Sequence, residues 1–295
     1  MPTVTRYAVY SVLVALIVLA LKTAAWGVTG SVALLSDALE SIINVVVAAA
    51  AFFALRVAIQ PPDANHPFGH HKAEYFSAVL EGVLIIVAAF VIFREAYFHF
   101  FAPVDLGAPG LGIAINIVAS AINAVWGWRL VRVGRKERSP ALTADGLHVL
   151  TDVVSSAGVV IGVFAAVMTG WLPLDALVAA GVGLYVLSAG WRLLKESVGG
   201  LMDHAADAAT LERIRKGILQ EAGGAIEAHD LQTRHAGSAT FIQFHLVVPS
   251  NMSVSDAHVI CDRIENKLRE MVPGARVTIH VEPENKAKHA GIIVA

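Results

Sequence analysis

The stretch His148-Val149-Leu150-Thr151-Asp152 lies inside an apolar run over residues 142–169. Four-residue spacing puts the imidazole and the carboxylate on one face of a helix, and the run is long enough to cross a bilayer. An ionisable group at the bilayer centre costs about 2.5–3.5 kcal/mol or more, so two on one face require a partner or a cation. The pattern points to a metal site inside a membrane.

Working outward, the hydropathy divides into six apolar stretches, near 7–28, 32–58, 76–101, 110–131, 142–169 and 173–199. Each provides the roughly 20 helical residues that span a bilayer. Arg6 ahead of an apolar run imitates a signal peptide. The run nevertheless continues past Lys22 and Trp26 without a small-residue cleavage site, so it reads as a mature helix. Composition agrees with a membrane protein: of 295 residues, 56% are hydrophobic and only 16% charged, against about 25% charged in soluble domains. The net charge of -2 and the scattered basic residues give no footprint for nucleic acid. One cysteine, Cys261, rules out an intrachain disulfide framework and a thiolate zinc cluster, so any metal must take His, Asp, Glu or Asn.

Loop charge orients the helices. Arg129, Arg132, Arg135, Lys136 and Arg138 cluster between the fourth and fifth, and Arg56 and Lys72 flank the loop after the second. The alternate loops near 28–31, 102–109 and 169–174 carry no Lys or Arg. The positive-inside rule therefore predicts that both termini are cytoplasmic in a cytoplasmic-membrane protein. Residues 1–203 form the membrane domain on this reading, and 204–295 a cytoplasmic one. In the latter, 210–222 is helix-like, 228–234 and 239–248 alternate as strands around a turn at His235-Ala236-Gly237-Ser238, 253–271 is amphipathic and 276–282 alternates again. The order α-β-β-α-β predicts a ferredoxin-like α+β domain with its helices on one face of a small sheet.

Four stretches together resemble the cation diffusion facilitators. They are Ser36-Asp37-Ala38-Leu39-Glu40-Ser41, the loop from Pro61 through His70 to Glu74, the pair His148 and Asp152, and Ala228-His229-Asp230-Leu231. The resemblance runs from the first helix to about residue 283. It implies a homodimeric six-helix exporter of divalent transition metals, driven by inward proton flow, with a cytoplasmic metal-binding domain. The transport site it implies lies between the second and fifth helices. His148 and Asp152 match the fifth-helix pair, and counting back from the loop places Glu40 and Asn44 on the second helix. Asp37, one turn before Glu40, is an additional or substitute ligand, or a base behind the ligands.

Glu and Asn depart from the Asp-rich or His-rich pair of the best-known zinc members. Two carboxylates, an amide oxygen and one imidazole make an oxygen-rich site that leans toward Mn²⁺ or Fe²⁺ and still suits tetrahedral Zn²⁺. Asp63, His66 and His70 form a three-ligand arrangement in the loop, which the resemblance assigns to a second zinc site; His71 reads as an exposed neighbour. The resemblance makes Lys72 and Asp203 a charge interlock of the dimer. In the tail, His229, His245, His258, His280 and Glu282 fall where related transporters bind two ions across the dimer contact. His280 and Glu282 share one strand face by the two-residue repeat. His204, His235 and His289 read as ordinary histidines.

Ligands that must be deprotonated to bind a cation also bind protons, which makes exchange a competition for His148 and Asp152. The chain has no His-Glu-x-x-His motif and no nucleophile elbow, so a membrane metalloenzyme is not expected. No prosthetic group is implied beyond bound divalent ions, and the expected partners are metal cations, protons, lipid and a second copy of the chain. The alternative is a metal-sensing or scaffolding relative that dimerises on metal without transport, for which Glu40 and Asn44 are the argument.

Overall fold

The computed structural model describes residues 2–29, 32–101, 111–171, 173–289 and 291–294, without the side chains of 28, 29, 32–37, 39, 40, 111–113, 116, 159, 160, 163, 166, 167 and 175. The side chains of Asp37 and Glu40 and the loop 102–109 thus lie outside the described residues. The chain divides into two compact units, Met1–Val198 and Gly199–Ala295.

Among the described residues, six long helices build the first unit: α1 (Thr3–Thr29), α2 (Val32–Ala58), α3 (Ala73–Phe101), α4 (Leu111–Glu137), α5 (Pro140–Thr169) and α6 (Pro173–Leu201). At 1.5 Å per residue each is about 40 Å long, more than the hydrocarbon core of a bilayer. Among the described residues, Thr3–Gly27, Ser41–Ala58, Ala73–Phe101 and Ala176–Leu201 are apolar enough and long enough to cross. The packing is inside out by soluble standards. Phe53, Phe90, Val125 and Phe164 are exposed, while small residues such as Ala8, Ala51, Ala78, Ala89 and Ala144 sit fully buried between helices. Without a hydrophobic force to separate protein from lipid, close backbone approach between small residues holds helices together.

α4 and α5 show this most sharply. Arg138, at φ 53°, and Ser139 turn the chain between them. Ser139 caps α5 by accepting the Leu142 N–H, and Pro140 occupies the first turn, where its missing N–H is harmless. A Cβ on Gly146 would stand 2.7 Å from the Val131 nitrogen and 2.9 Å from the Gly127 carbonyl oxygen. The two backbones touch where glycine permits it, and this fixes the height of His148 two residues later.

The second unit contains α7 (Ala208–Glu221), β1 (Glu227–Ala236), β2 (Ala239–Val248), α8 (Val254–Met271), β3 (Ala275–Pro283) and β4 (Ile292–Ile293), with a 3-10 turn at Glu284–Lys286. The sheet order is β3-β2-β1-β4, with β1 antiparallel to β2 and β4, and β2 parallel to β3 through α8. Ile214 and Ile218 of α7 and Ile260, Ile264 and Leu268 of α8 recur at helical spacing and cover Ile242, Phe244 and Leu246 of β2. The hairpin turn is tighter than the sequence suggested. β1 runs through His235 and Ala236, leaving Gly237-Ser238 as a two-residue turn with Gly237 at φ 54°. The strand β4 was not foreseen, since two residues carry no periodicity.

Candidate metal centres

The centre between α2 and α5 is built on one amide. The Asn44 Nδ2–H donates to Asp152 Oδ2 at 2.7 Å, and its Oδ1 meets His148 Nε2 at 3.0 Å. Asn44 and His148 are buried and Asp152 half-buried. The other imidazole nitrogen, His148 Nδ1, is buried with no hydrogen-bond partner. A buried ring nitrogen without a partner is a group waiting for a proton or a cation. Helical spacing puts Glu40 one turn from Asn44 on α2. Thr151 lies between His148 and Asp152 and donates its hydroxyl to the His148 carbonyl at 2.7 Å.

The loop between α2 and α3 gathers Asp63, His66 and His70, with one ligand atom from each lying within 4.8 Å of the others. Asp63 Oδ1 accepts the backbone N–H of Asn65 at 2.9 Å and of His66 at 2.7 Å, an Asx turn that fixes the carboxylate. The bond from the His66 N–H holds the Asp63 carboxyl below the usual carboxylate range. His66 Nδ1 stands 3.2 Å and His70 Nε2 3.3 Å from the two carboxylate oxygens. Gly69, at φ 87°, makes the turn that brings His70 back.

In the tail, strand register lines up three imidazoles. His229 pairs with His245 across β1–β2, and His245 with His280 across β2–β3. Glu282 ties them: its Oε2 is 3.3 Å from His229 Nε2, and its Oε1 is 3.3 Å from His245 Nδ1 and 3.7 Å from His280 Nε2. Both His229 nitrogens and Glu227 Oε1 are buried without hydrogen-bond partners, a donor set that fits a divalent cation. His229, Asp230 and His245 offer atoms within 4.8 Å of one another.

Asp230 is the residue that alternation conceals. By the two-residue repeat it would face away from His229, but a bulge between His229 and Gln232 puts it at φ 52° and turns its carboxylate to 3.9 Å from His245 Nδ1. Lys288 Nζ bonds it at 2.6 Å, and that ammonium holds the Asp230 carboxyl below its ordinary range. The short β4 explains why Lys288 is there: pairing of Ile292 and Ile293 with Ala228 and Glu227 lays the chain end along β1. His258, on α8, is exposed and faces Asp262 at 3.8 Å rather than the cluster. Asp203 accepts from Arg234 at 3.2 Å within the tail unit.

Residues 8–202 match the family model described as the cation efflux transmembrane domain, and residues 206–284 match the cation efflux protein cytoplasmic domain. The chain belongs to the cation efflux family. An uncharacterized transporter of Synechocystis sp. is 46% identical over 277 residues, covering 94% of this chain and 89% of that protein. The cation-efflux pump FieF of Citrobacter koseri is 32% identical, over 95% of this chain and 93% of its own length. The metal-bound C-terminal domain of the CzcD transporter from Thermotoga maritima is 26% identical, covering 28% of this chain and 100% of its own, with a TM-score of 0.26. This cation efflux protein is therefore a multi-pass membrane transporter with an α+β cytoplasmic domain. The sequence reading overlooked Asp145, Glu227, Asp230 and Lys288 as neighbours of the metal centres. Asp145 had a signal there, one turn before His148 on the same face, and Asp230 stood inside the quoted Ala228–Leu231 stretch.

Proposed function

We propose that the protein exports divalent transition-metal cations from the cytoplasm in exchange for protons, as a homodimer in the cytoplasmic membrane, with six membrane-crossing helices and both termini inside. The observation that carries this reading is the buried His148–Asn44–Asp152 constellation between two helices of an apolar bundle. The FieF relatives, named as cation-efflux pumps, support the same direction.

Glu40, Asn44, His148 and Asp152 bind the cation, with Asp37 as an additional or substitute ligand. A cation reaching the site replaces the Asn44–Asp152 hydrogen bond and needs His148 with a free lone pair, so its arrival expels a proton. Re-exposure to the outside, where the site reprotonates, releases it. Two carboxylates and an amide oxygen beside one imidazole favour Fe²⁺, Mn²⁺ or Zn²⁺ over a thiophilic ion.

Asp63, His66 and His70 form a cytoplasmic loop site. Glu282, His229 and His245 form the core of a tail site, to which the exposed His280 and His258 contribute only by moving or by meeting a second copy. Lys72 and Asp203 are proposed to clasp the dimer, and the Arg234 guanidinium already on Asp203 competes with that contact.

The experiment is uptake of Zn²⁺, Fe²⁺, Mn²⁺, Co²⁺ and Cd²⁺ into proteoliposomes under an imposed proton gradient, with Asp152→Ala as the blank. Selective flux lost in the blank is expected. A folded dimer that moves no ion would leave a metal-responsive scaffold as the better reading.

A further inference from the structure

The tail unit closes with a strap. Beyond residue 284, where the match to the cytoplasmic-domain model stops, the chain makes the turn Glu284–Lys286 and returns along β1. Ile292 pairs with Ala228 and Ile293 with Glu227, and the Val294 N–H donates to the Ile226 carbonyl at 3.1 Å. Ile292 and Val294 also pack on the core of the tail. Gly291 lets the two backbones approach: a Cβ there would collide with the Ala228 carbonyl oxygen and stand 2.9 Å from the His229 Cβ. The strap is thus seated by backbone pairing and two apolar side chains, directly beside the tail metal centre.

Once seated, it reaches two carboxylates there. The His289 N–H donates to Glu227 Oε2 at 2.8 Å, while Glu227 Oε1 faces His229 Nδ1 at 3.4 Å. Lys288 Nζ bonds Asp230 Oδ2 at 2.6 Å, and that same oxygen is the one 3.9 Å from His245 Nδ1. A cation held between Asp230 and the histidines needs the oxygen on which the ammonium sits, and two positive charges on one carboxylate oxygen repel at close range. The ion pair itself is weak. Lys288 is 53% and Asp230 41% exposed, and pairs so open to water contribute little. An ammonium positioned by a strand but loosely bonded at its tip is an occupant that a divalent cation can displace.

We propose that Lys288 is an internal competitor for the tail cation site: its ammonium holds the Asp230 oxygen that a divalent cation would take, so it sets the metal concentration at which the tail fills. The opposition is mutual by linkage. Cation binding expels the ammonium and loosens the strap, and a strap without its ammonium leaves a centre of higher affinity. This deepens the tail-site reading above and rests on it.

The test uses the full-length protein carrying Asp63→Ala and Asp152→Ala, which disable the other two proposed centres, and reads Zn²⁺ affinity by chelator competition. Lys288→Gln is expected to bind about three- to tenfold more tightly than this parent, and Lys288→Arg to bind like it. Lys286→Gln removes the same charge from an exposed side chain two residues away and should change affinity by less than about twofold. A lysine that merely steadied the fold would give the opposite sign, weaker binding on its loss. Hydrogen exchange supplies the second readout: Zn²⁺ should speed exchange of the Val294 amide in the parent while slowing it in β1 and β2. Unchanged or weaker binding in Lys288→Gln would overturn the assignment, as would an equal gain in Lys286→Gln or a Val294 amide that Zn²⁺ protects. A parent that binds no Zn²⁺, or binds it undiminished after His245→Ala, takes down the tail-site reading and this assignment together, and is recognised before any Lys288 variant is compared.

Discussion

Asp207 stands at the N-cap of α7, accepting the Thr210 N–H at 2.9 Å and the Thr210 hydroxyl at 2.8 Å. Those bonds, the backbone one first, hold its carboxyl below the ordinary 3.8. A depressed folded value means the contribution is present above the unfolded value and disappears as the pH falls through the folded one, so it is lost only in acid below about pH 4. Asp207→Ala is expected to cost about 1 kcal/mol of tail stability at neutral pH and almost nothing in acid, read from urea unfolding at the two pH values. Asp152 makes the opposite kind of residue-scale claim. Its loss removes a proposed ligand and leaves the Asn44 amide without its acceptor, so Asp152→Ala should abolish flux while the dimer still forms, which size-exclusion chromatography checks alongside transport.

Single elements place these residues through backbone features. The α4–α5 contact depends on Gly127 and Gly146 having no Cβ. Alanine is the better helix former by about 1 kcal/mol. Gly146→Ala is nevertheless expected to destabilise the bundle by about 1–3 kcal/mol, because the added methyl meets rigid backbone and the helices must part. Thermal unfolding in detergent reads the loss, and transport should fall with it because His148 moves. In β1 the bulge plays the corresponding part. Asp230→Gly keeps the positive-φ backbone while deleting the carboxylate, so the tail should fold normally and bind Zn²⁺ about ten- to hundredfold more weakly in chelator competition. Asp230→Val, β-branched at φ 52°, should instead destabilise the strand itself.

For the molecule as a whole, the three metal centres proposed among the described residues differ in exposure: one buried in the helices, one on an exposed loop and one on the sheet of the tail. A cation that binds the folded tail and not the unfolded chain stabilises it by about 2.7 kcal/mol at one hundred times its dissociation constant. Zn²⁺ should therefore raise the melting temperature of the tail transition, and His245→Ala should remove most of that rise. The Lys288 ammonium already occupies Asp230, so Lys288→Ala is expected to tighten Zn²⁺ binding at the tail, measured by the same chelator competition.

The sequence alone determined the membrane class, the long apolar helices, the α-β-β-α-β order of the tail and the candidate ligands on α5, in the loop and on the strands. Each of these is written in a local period: hydropathy over twenty residues, four-residue spacing on a helix, two-residue alternation on a strand. Tertiary structure decided the rest. Asn44 meets His148 and Asp152 only because α2 lies against α5 across a sequence separation of more than one hundred residues. Asp230 joins the histidines through a bulge that breaks alternation, and Lys288 reaches it through a two-residue strand. His258 shows the reverse, a histidine in a suggestive place that its helix turns toward solvent. Periodicity assigns a residue to a face, but which faces meet depends on non-local packing.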